Sequence, residues 1–381
     1  MHPLVGAALL VVAVAGLPYA AFLALYALYR PSGSAVEKDP EYEPTVSVVL
    51  PTYDEERIVE GKLERLCDLD YPMDRVEIVV VDSSDDATPD RVRAFFADRE
   101  APELTLIEED ERRGVASAVN DAIRAADGEV VFRTDCDAEL APDVLREAVA
   151  TLADERVDAV TGRQADVIGD SDVERDYRDM LARIQSLETR LDSAFIAHGP
   201  CFAFRREAFA PIPPDTIADD TSIAVAIRRA GGRVVMDPAL RFAESGVSAF
   251  GARRKRKDRR ALGLVQALVR NRDMLGRYGK YGRAVLPFNW WFMIVSPWLA
   301  VLAAALSTAA ALSVAGLPGL ALPAVGAAAF WLGQRDLLGP LQPLHAVVDA
   351  QVSLLVGAVQ LVTGDVSGTW EIDRESREAF E

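Results

Sequence analysis

Gly128-Glu-Val-Val-Phe-Arg-Thr-Asp-Cys-Asp137 sets a short β-branched, apolar run directly before two carboxylates at alternate positions. A run of that kind reads as a buried strand that stops where the polar residues begin. Three more segments repeat the pattern. Val46-Ser-Val-Val-Leu50 ends at Pro51, Val76-Glu-Ile-Val-Val-Val81 ends at Asp82, and Leu104-Thr-Leu-Ile107 is a third apolar run. Between them, Ile58 to Leu69 and Gly114 to Ala126 carry helical spacing. Strands alternating with helices imply an α/β fold, with an open, mostly parallel sheet covered on both faces. Ligands of such sheets bind beyond the carboxyl ends of the strands. Three of these strands end in polar clusters: Pro51-Thr-Tyr-Asp-Glu-Glu56, Asp82-Ser-Ser-Asp-Asp86 and Asp135-Cys-Asp137. One ligand touching all three would account for that coincidence.

The 381 residues carry a formal net charge of −18, which argues against a nucleic-acid partner, because neutralising phosphates takes a basic face. Five of the 41 basic residues are Lys and the rest are Arg. Excess carboxylate with scarce Lys suits a salt-rich cytoplasm, where surface charges are strongly screened. Cys67, Cys136 and Cys201 are odd in number and widely spaced, so they outline neither a zinc site nor a disulfide framework.

Pro3 to Tyr29 holds no charged residue and is long enough, at about 1.5 Å per residue, to cross a ~30 Å hydrocarbon core. A cleaved signal peptide would want a basic start and a shorter apolar stretch, so residues 1–30 are expected to be an anchor. Ala284 to Gln334 is also free of charge, enough for two spans hinged at Gly316-Leu-Pro-Gly319. A third tract, Leu337 to Gly364, is interrupted only by Asp349 and broken by Pro340 and Pro343, and either spans or lies in the interface. Residues 365–381 form a polar tail. Arg30 and Lys38 flank the first tract and Arg277, Lys280 and Arg283 the second. By the positive-inside rule, residues 30 to 283 face the cytoplasm of a multi-pass plasma-membrane protein in contact with the lipid bilayer.

Asp135 and Asp137 can reach the same side of a bound ion where strand gives way to loop. A hard cation such as Mg²⁺ or Mn²⁺ takes one or two such carboxylates plus phosphate oxygens. Asp82 can accept hydrogen bonds from a base or ribose, as an acidic residue does in dinucleotide sites, although its cluster also suits a turn and a helix N-cap. Asp219-Asp220 reads as a helix start, where the dipole favours carboxylates. Arg253-Arg-Lys-Arg-Lys-Asp-Arg-Arg260 is the one dense basic run, suited equally to a membrane surface or to a diphosphate, which Arg grips in a fork.

In this order the residues resemble the inverting family 2 glycosyltransferases of the GT-A fold, over about residues 44 to 265. The resemblance implies a Rossmann-like GT-A domain with one N-terminal and two to three C-terminal transmembrane helices. It implies that Pro51, Thr52, Tyr53 and Glu55 cradle a nucleotide, with Ser84 beside Asp82, which holds the base. Gly114 and Asn120 match the family's Gly-Lys…Ala-Leu-Asn stretch, with Val115 in place of the Lys. Asp135 would lie near the donor sugar and diphosphate, and Asp137 on the metal. Gly199-Pro-Cys201, after His198, resembles the acceptor-side segment, and Ala218-Asp219-Asp220 stands where the family has Thr-Glu-Asp, making Asp220 the general base.

The Gln-x-x-Arg-Trp motif of processive synthases has its best match in Arg256-Lys-Asp-Arg259-Arg260, which keeps the diphosphate-gripping Arg and loses the Gln and Trp. That Trp stacks on an acceptor sugar, so its loss favours a charged acceptor such as a lipid phosphate. The expected reaction moves a sugar from a nucleoside-diphosphate sugar to a membrane lipid or lipid-linked glycan, with Mg²⁺ or Mn²⁺. The alternatives are a processive polysaccharide synthase, a non-catalytic nucleotide-sugar-binding partner and a nucleotidyltransferase. The last would want a Gly-rich basic loop where Pro51 to Glu56 is acidic.

Overall fold

The computed structural model describes residues 2–28, 36–168, 172–245 and 250–364. Arg30 and the polar tail lie outside them. The β-branched runs form the expected strands: β1 (Val46–Thr52), β2 (Val76–Asp82), β3 (Glu103–Glu108) and β4 (Val130–Arg133). Four more complete the sheet: β5 (Ala138–Leu140), β6 (Ala159–Ile168), β7 (Phe202–Arg205) and β8 (Val234–Ser245). Their order across the sheet is β3-β2-β1-β4-β7-β6-β8-β5. The pairings from β3 through β4 are parallel, β7 runs antiparallel to both its neighbours, and β6 and β8 pair in parallel. This is the mixed, mostly parallel sheet of the GT-A fold.

Period-2 alternation divides the strand residues between two cores. Val46, Val48 and Leu50 of β1 pack on one face with α2 (Val59–Cys67) and α5 (Val144–Leu152). Val49 and Val131 pack on the other with α4 (Val115–Ala125) and α7 (Asp219–Arg229). Each central strand is therefore buried on both sides, as parallel sheets require.

Among the described residues, three helices are long and apolar enough to cross a membrane: α1 (Pro3–Leu28), Tyr281–Ala315 and Gly339–Thr363. The expected hairpin is unequal. Its first limb has 35 residues, Gly316 turns the chain at φ +63°, and the second limb, Leu317–Gly333, is a shorter apolar helix. The base of the long limb is not separate from the α/β unit. Tyr281, Val285, Leu286 and Phe292 share a third apolar cluster with Phe195, Val225 and Ala261, Val265, Ala267 and Leu268 of α8 (Phe250–Arg270).

Candidate active site

Strands β2, β1 and β4 are adjacent, so their three polar ends emerge along one edge. Thr52 lies opposite Asp82 in the β1–β2 ladder, and its hydroxyl donates to Asp82 Oδ2 at 2.5 Å. Ser84 donates to the same carboxylate twice, from its hydroxyl at 2.7 Å and its N–H at 3.0 Å. Burial raises the Asp82 pKa and these donors oppose the rise. The N–H of buried Glu55 donates to Thr88 Oγ1 at 2.9 Å, and Tyr53 lies with its ring 3.6 Å from the Arg112 guanidinium carbon. Gly114 caps α4 at φ +91°, a conformation that a side chain resists.

Arg133, the last residue of β4, joins the two acidic groups of the site. Its guanidinium donates to Asp135 Oδ2 at 2.9 Å and lies 3.2 Å from Asp219 Oδ2, while only 4% of the residue is exposed. Burial works against its charge, but Asp135, Asp219 and Asp220 hold the pKa above that of free arginine. Asp219 and Asp220 open α7. Asp220 accepts the Gly199 N–H at 2.7 Å and the Thr221 N–H at 2.6 Å, so its carboxylate is held in one orientation from two sides. Burial raises the pKa values of Asp135, Asp219 and Asp220, against the pull of Arg133.

α8 brings the arginines. Arg260 Nη2 donates to both oxygens of Glu244, at 2.7 and 2.8 Å, and Arg256 reaches the same carboxylate at 3.3 Å. Burial alone would raise the Glu244 pKa, yet Arg260 and Arg256 pull it down to about 2. Arg259 is brought down to about 10 by burial and by those two arginines, with Asp137 and Asp135 opposing. His198 contacts Gln185 across 3.0 Å, and burial lowers it to about 4, which leaves the ring neutral at pH 7.

Among the described residues no cluster of three metal-ligating side chains occurs. The pair Asp135 and Asp137, both part-exposed at one loop, is nonetheless the donor set that Mg²⁺ or Mn²⁺ uses when phosphate oxygens complete its shell. The residues fit such an ion on those terms.

The family model described as Glycosyl transferase family 2 matches residues 47–212, and that described as Glycosyl transferase family group 2 matches residues 130–331. The second covers more than half of the chain. The chain belongs to glycosyl transferase family 2. Among solved family relatives, the mannosyltransferase PcManGT of Pyrobaculum calidifontis, in complex with GDP-Man and Mn²⁺, matches at a TM-score of 0.81 and 33% identity. That match covers 94% of this chain and 99% of the other. Beta-monoglucosyldiacylglycerol synthase of Synechocystis sp. is 29% identical over 162 residues, 40% of this chain and 30% of that protein. Dolichyl-phosphate hexose transferase of Haloferax volcanii is 40% identical over 93 residues, 24% of this chain and 36% of that protein. The chain thus spans about a third of these two curated relatives.

Two expected site residues of this family 2 glycosyltransferase have side chains engaged within the fold. Asn120 commits both ends of its amide to Ile212, donating to its carbonyl at 2.8 Å and accepting its N–H at 3.0 Å. It braces the segment before α7. Cys201 is fully buried, so close to Gly162 that a Cβ there would come within 2.5 Å of its sulfur. Gly199 stands against the guanidinium of Arg133, where a Cβ would fall 1.9 Å from Nη1.

Three residues that sequence reasoning passed over shape the site: Arg133, Glu244 and Lys62. Lys62 is buried beneath the Asp-x-Asp loop and donates to Thr134 Oγ1 at 3.0 Å and the Ala138 carbonyl at 2.7 Å. Burial lowers its pKa to about 8, partly offset by Cys136 and Asp135. A lysine in a chain with only five, on the apolar face of an amphipathic helix, was the available signal.

Proposed function

We propose that the protein transfers a hexose, with inversion, from a nucleoside-diphosphate sugar to an acceptor held at the cytoplasmic face of the membrane, and that the donor is GDP-mannose. The observation that carries this reading is the convergence of Asp82, the Arg133-linked Asp135 and the backbone-oriented Asp220 on one sheet edge. The donor assignment leans on PcManGT, which holds GDP-Man at 33% identity over nearly the whole chain. A lipid or lipid-phosphate acceptor leans on the named activities of the glucosyldiacylglycerol and dolichyl-phosphate relatives.

Asp82, oriented by Thr52 and Ser84, accepts from the base or ribose. Asp220 takes the proton of the attacking acceptor hydroxyl as its oxygen bonds to the anomeric carbon and the carbon–diphosphate bond breaks, with the bond's electrons leaving on the nucleoside diphosphate. A phosphate acceptor arrives deprotonated, and Asp220 then orients it. Arg256 and Arg259 face the charge that grows on the departing diphosphate. Asp135 and Asp137 would hold Mg²⁺ or Mn²⁺, which neutralises the diphosphate and improves it as a leaving group.

Arg260, which stands where processive enzymes have Trp, is paired with Glu244 and carries no aromatic ring for a growing sugar chain. That favours single transfer over polymerisation. The orientation rests on Lys38, Arg277, Lys280 and Arg283 near the ends of the first two long apolar helices.

The test is release of nucleoside diphosphate by detergent-purified protein at high salt. It uses a panel of nucleotide sugars with Mn²⁺ or Mg²⁺, with and without a lipid extract. Lipid-dependent release from GDP-mannose supports the reading. Release from another donor overturns the assignment of GDP-mannose. Binding without release from any donor overturns catalysis and makes the protein a nucleotide-sugar-binding partner.

A further inference from the structure

Asp349 is the one charged residue between Leu337 and Gly364, and it is 2% exposed. It does not face lipid. Arg254 Nη1 donates to Asp349 Oδ1 at 2.6 Å, Gln334 Nε2 to the same oxygen at 2.7 Å, and Lys257 Nζ to Oδ2 at 3.1 Å. Arg253 Nη2 adds a bond to the Gln334 carbonyl at 2.9 Å. The carboxylate therefore joins α8 to the apolar helix Gln342–Thr363 and to the end of the hairpin.

Further along the same two helices, Gly357 lies against the backbone of Leu262 and Ala261, with a built Cβ 2.8 Å from the Leu262 nitrogen. Asp349 meets residues 254 and 257 and Gly357 meets 261 and 262, so the two helices run side by side in the same direction. At 3.6 residues per turn, positions 254, 257, 261 and 262 form one stripe of α8. Arg256 and Arg260 lie on another stripe, which meets Glu244. α8 is two-faced: one stripe is bound to an apolar helix through Asp349, and the other presents arginines to the active site.

Apolar side chains of similar volume could dock the same pair of helices equally well, since burying charges costs about what their pairing returns. What an ionic lock adds to an apolar contact is a single rotation and register. We infer that Asp349 is a positioning residue for the transfer reaction: it fixes the rotation of α8 so that Arg256 and Arg259 meet the donor diphosphate. This rests on the reading of those two arginines as the diphosphate grip.

The experiment compares binding of GDP and of GMP, each with Mn²⁺, to the full-length protein in nanodiscs, alongside turnover. A lost arginine grip weakens GDP alone, whereas general damage to the fold weakens both nucleotides. Asp349→Asn is expected to weaken GDP about tenfold, leave GMP unchanged and lower turnover by about 10- to 100-fold, the scale of a misplacement near 1 Å. Asp349→Glu is expected to restore most of the turnover. Arg254→Gln combined with Asp349→Asn is expected to be no worse than the weaker single variant, because both break one linkage.

Equal weakening of GDP and GMP, or no weakening of either, overturns the inference. Arg256→Ala and Arg259→Ala separate the two levels. If they leave GDP affinity intact, the diphosphate reading itself fails. If they weaken it and Asp349→Asn does not, only the positioning role fails.

Discussion

Substituting one methyl group at Gly199 tests whether Arg133 is the fixed centre of the site. A Cβ at residue 199 would stand 1.9 Å from Arg133 Nη1 and 2.5 Å from its Cζ, where ordinary contact begins near 3.4 Å. The guanidinium must then retreat by about 1.5 Å. An exposed arginine would swing aside at little cost, but this one is 4% exposed, bonded to Asp135 at 2.9 Å and 3.2 Å from Asp219. Retreat breaks at least one of those links and disturbs the Gly199 N–H bond to Asp220. Overpacking of this kind costs about 1–3 kcal/mol, rising toward about 3–5 kcal/mol if a buried carboxylate loses its cation outright. Turnover is expected to fall about 100-fold, since both acidic groups move together. The assays are denaturant unfolding and nucleoside-diphosphate release, with Gly61→Ala as control. A Cβ at Gly61 meets Arg65 at an ordinary 3.7 Å within α2, so that variant is expected to gain about 0.5–1 kcal/mol with full activity. Wild-type turnover and stability in Gly199→Ala would refute the fixed position of Arg133.

Asp220→Asn is expected to abolish turnover while keeping donor affinity within about threefold, measured by nucleotide-sugar binding, because its loss removes the group that deprotonates a hydroxyl acceptor or orients a phosphate one, and not a donor contact. Lys62 titrates near pH 8 in the folded protein and at 10.5 when free. Between these values the unfolded chain holds the extra proton, so wild-type stability rises with pH by on the order of 3 kcal/mol. Lys62→Met removes that rise in denaturant unfolding at pH 8 to 10, and it lowers activity because Thr134 and Ala138 lose their donor. Glu188 accepts the Phe195 N–H at 3.0 Å and the Asn289 amide at 2.6 Å, and burial raises its pKa to about 7. Here the folded state holds the extra proton between about pH 4.5 and 7, so wild-type stability falls as pH rises through that window. Glu188→Gln is expected to flatten the fall, equal to wild type near pH 5 and more stable at pH 8.

The strand ends were legible because each is signalled locally. A β-branched run that stops at Asp82 or at Asp135 announces a buried strand and its polar edge without any long-range information. The long apolar helices were legible for the same reason, from uncharged length alone, although the second hairpin limb came out shorter than its partner. What stayed hidden depends on contacts between distant segments. Arg133 reads as the end of a strand until Asp219 is brought against it. Glu244 sits near the end of β8, and nothing nearby in the chain announces that Arg256 and Arg260 will converge on it. Asn120 lies in a family-like stretch, but its partner Ile212 is on another segment. In the sequence Asp349 only interrupts an apolar tract, and its ion pairs with Arg254 and Lys257 show what the charge meets.

The most direct measurement follows the sugar itself. Purified protein would be incubated with GDP-mannose radiolabelled in the sugar, Mn²⁺ and membrane lipids at high salt, and the products extracted into organic solvent. The account expects lipid-extractable label in β linkage, inverted from the α linkage of the donor, and none with Asp220→Asn. Label recovered as free mannose, as water-soluble polymer or in α linkage would contradict it.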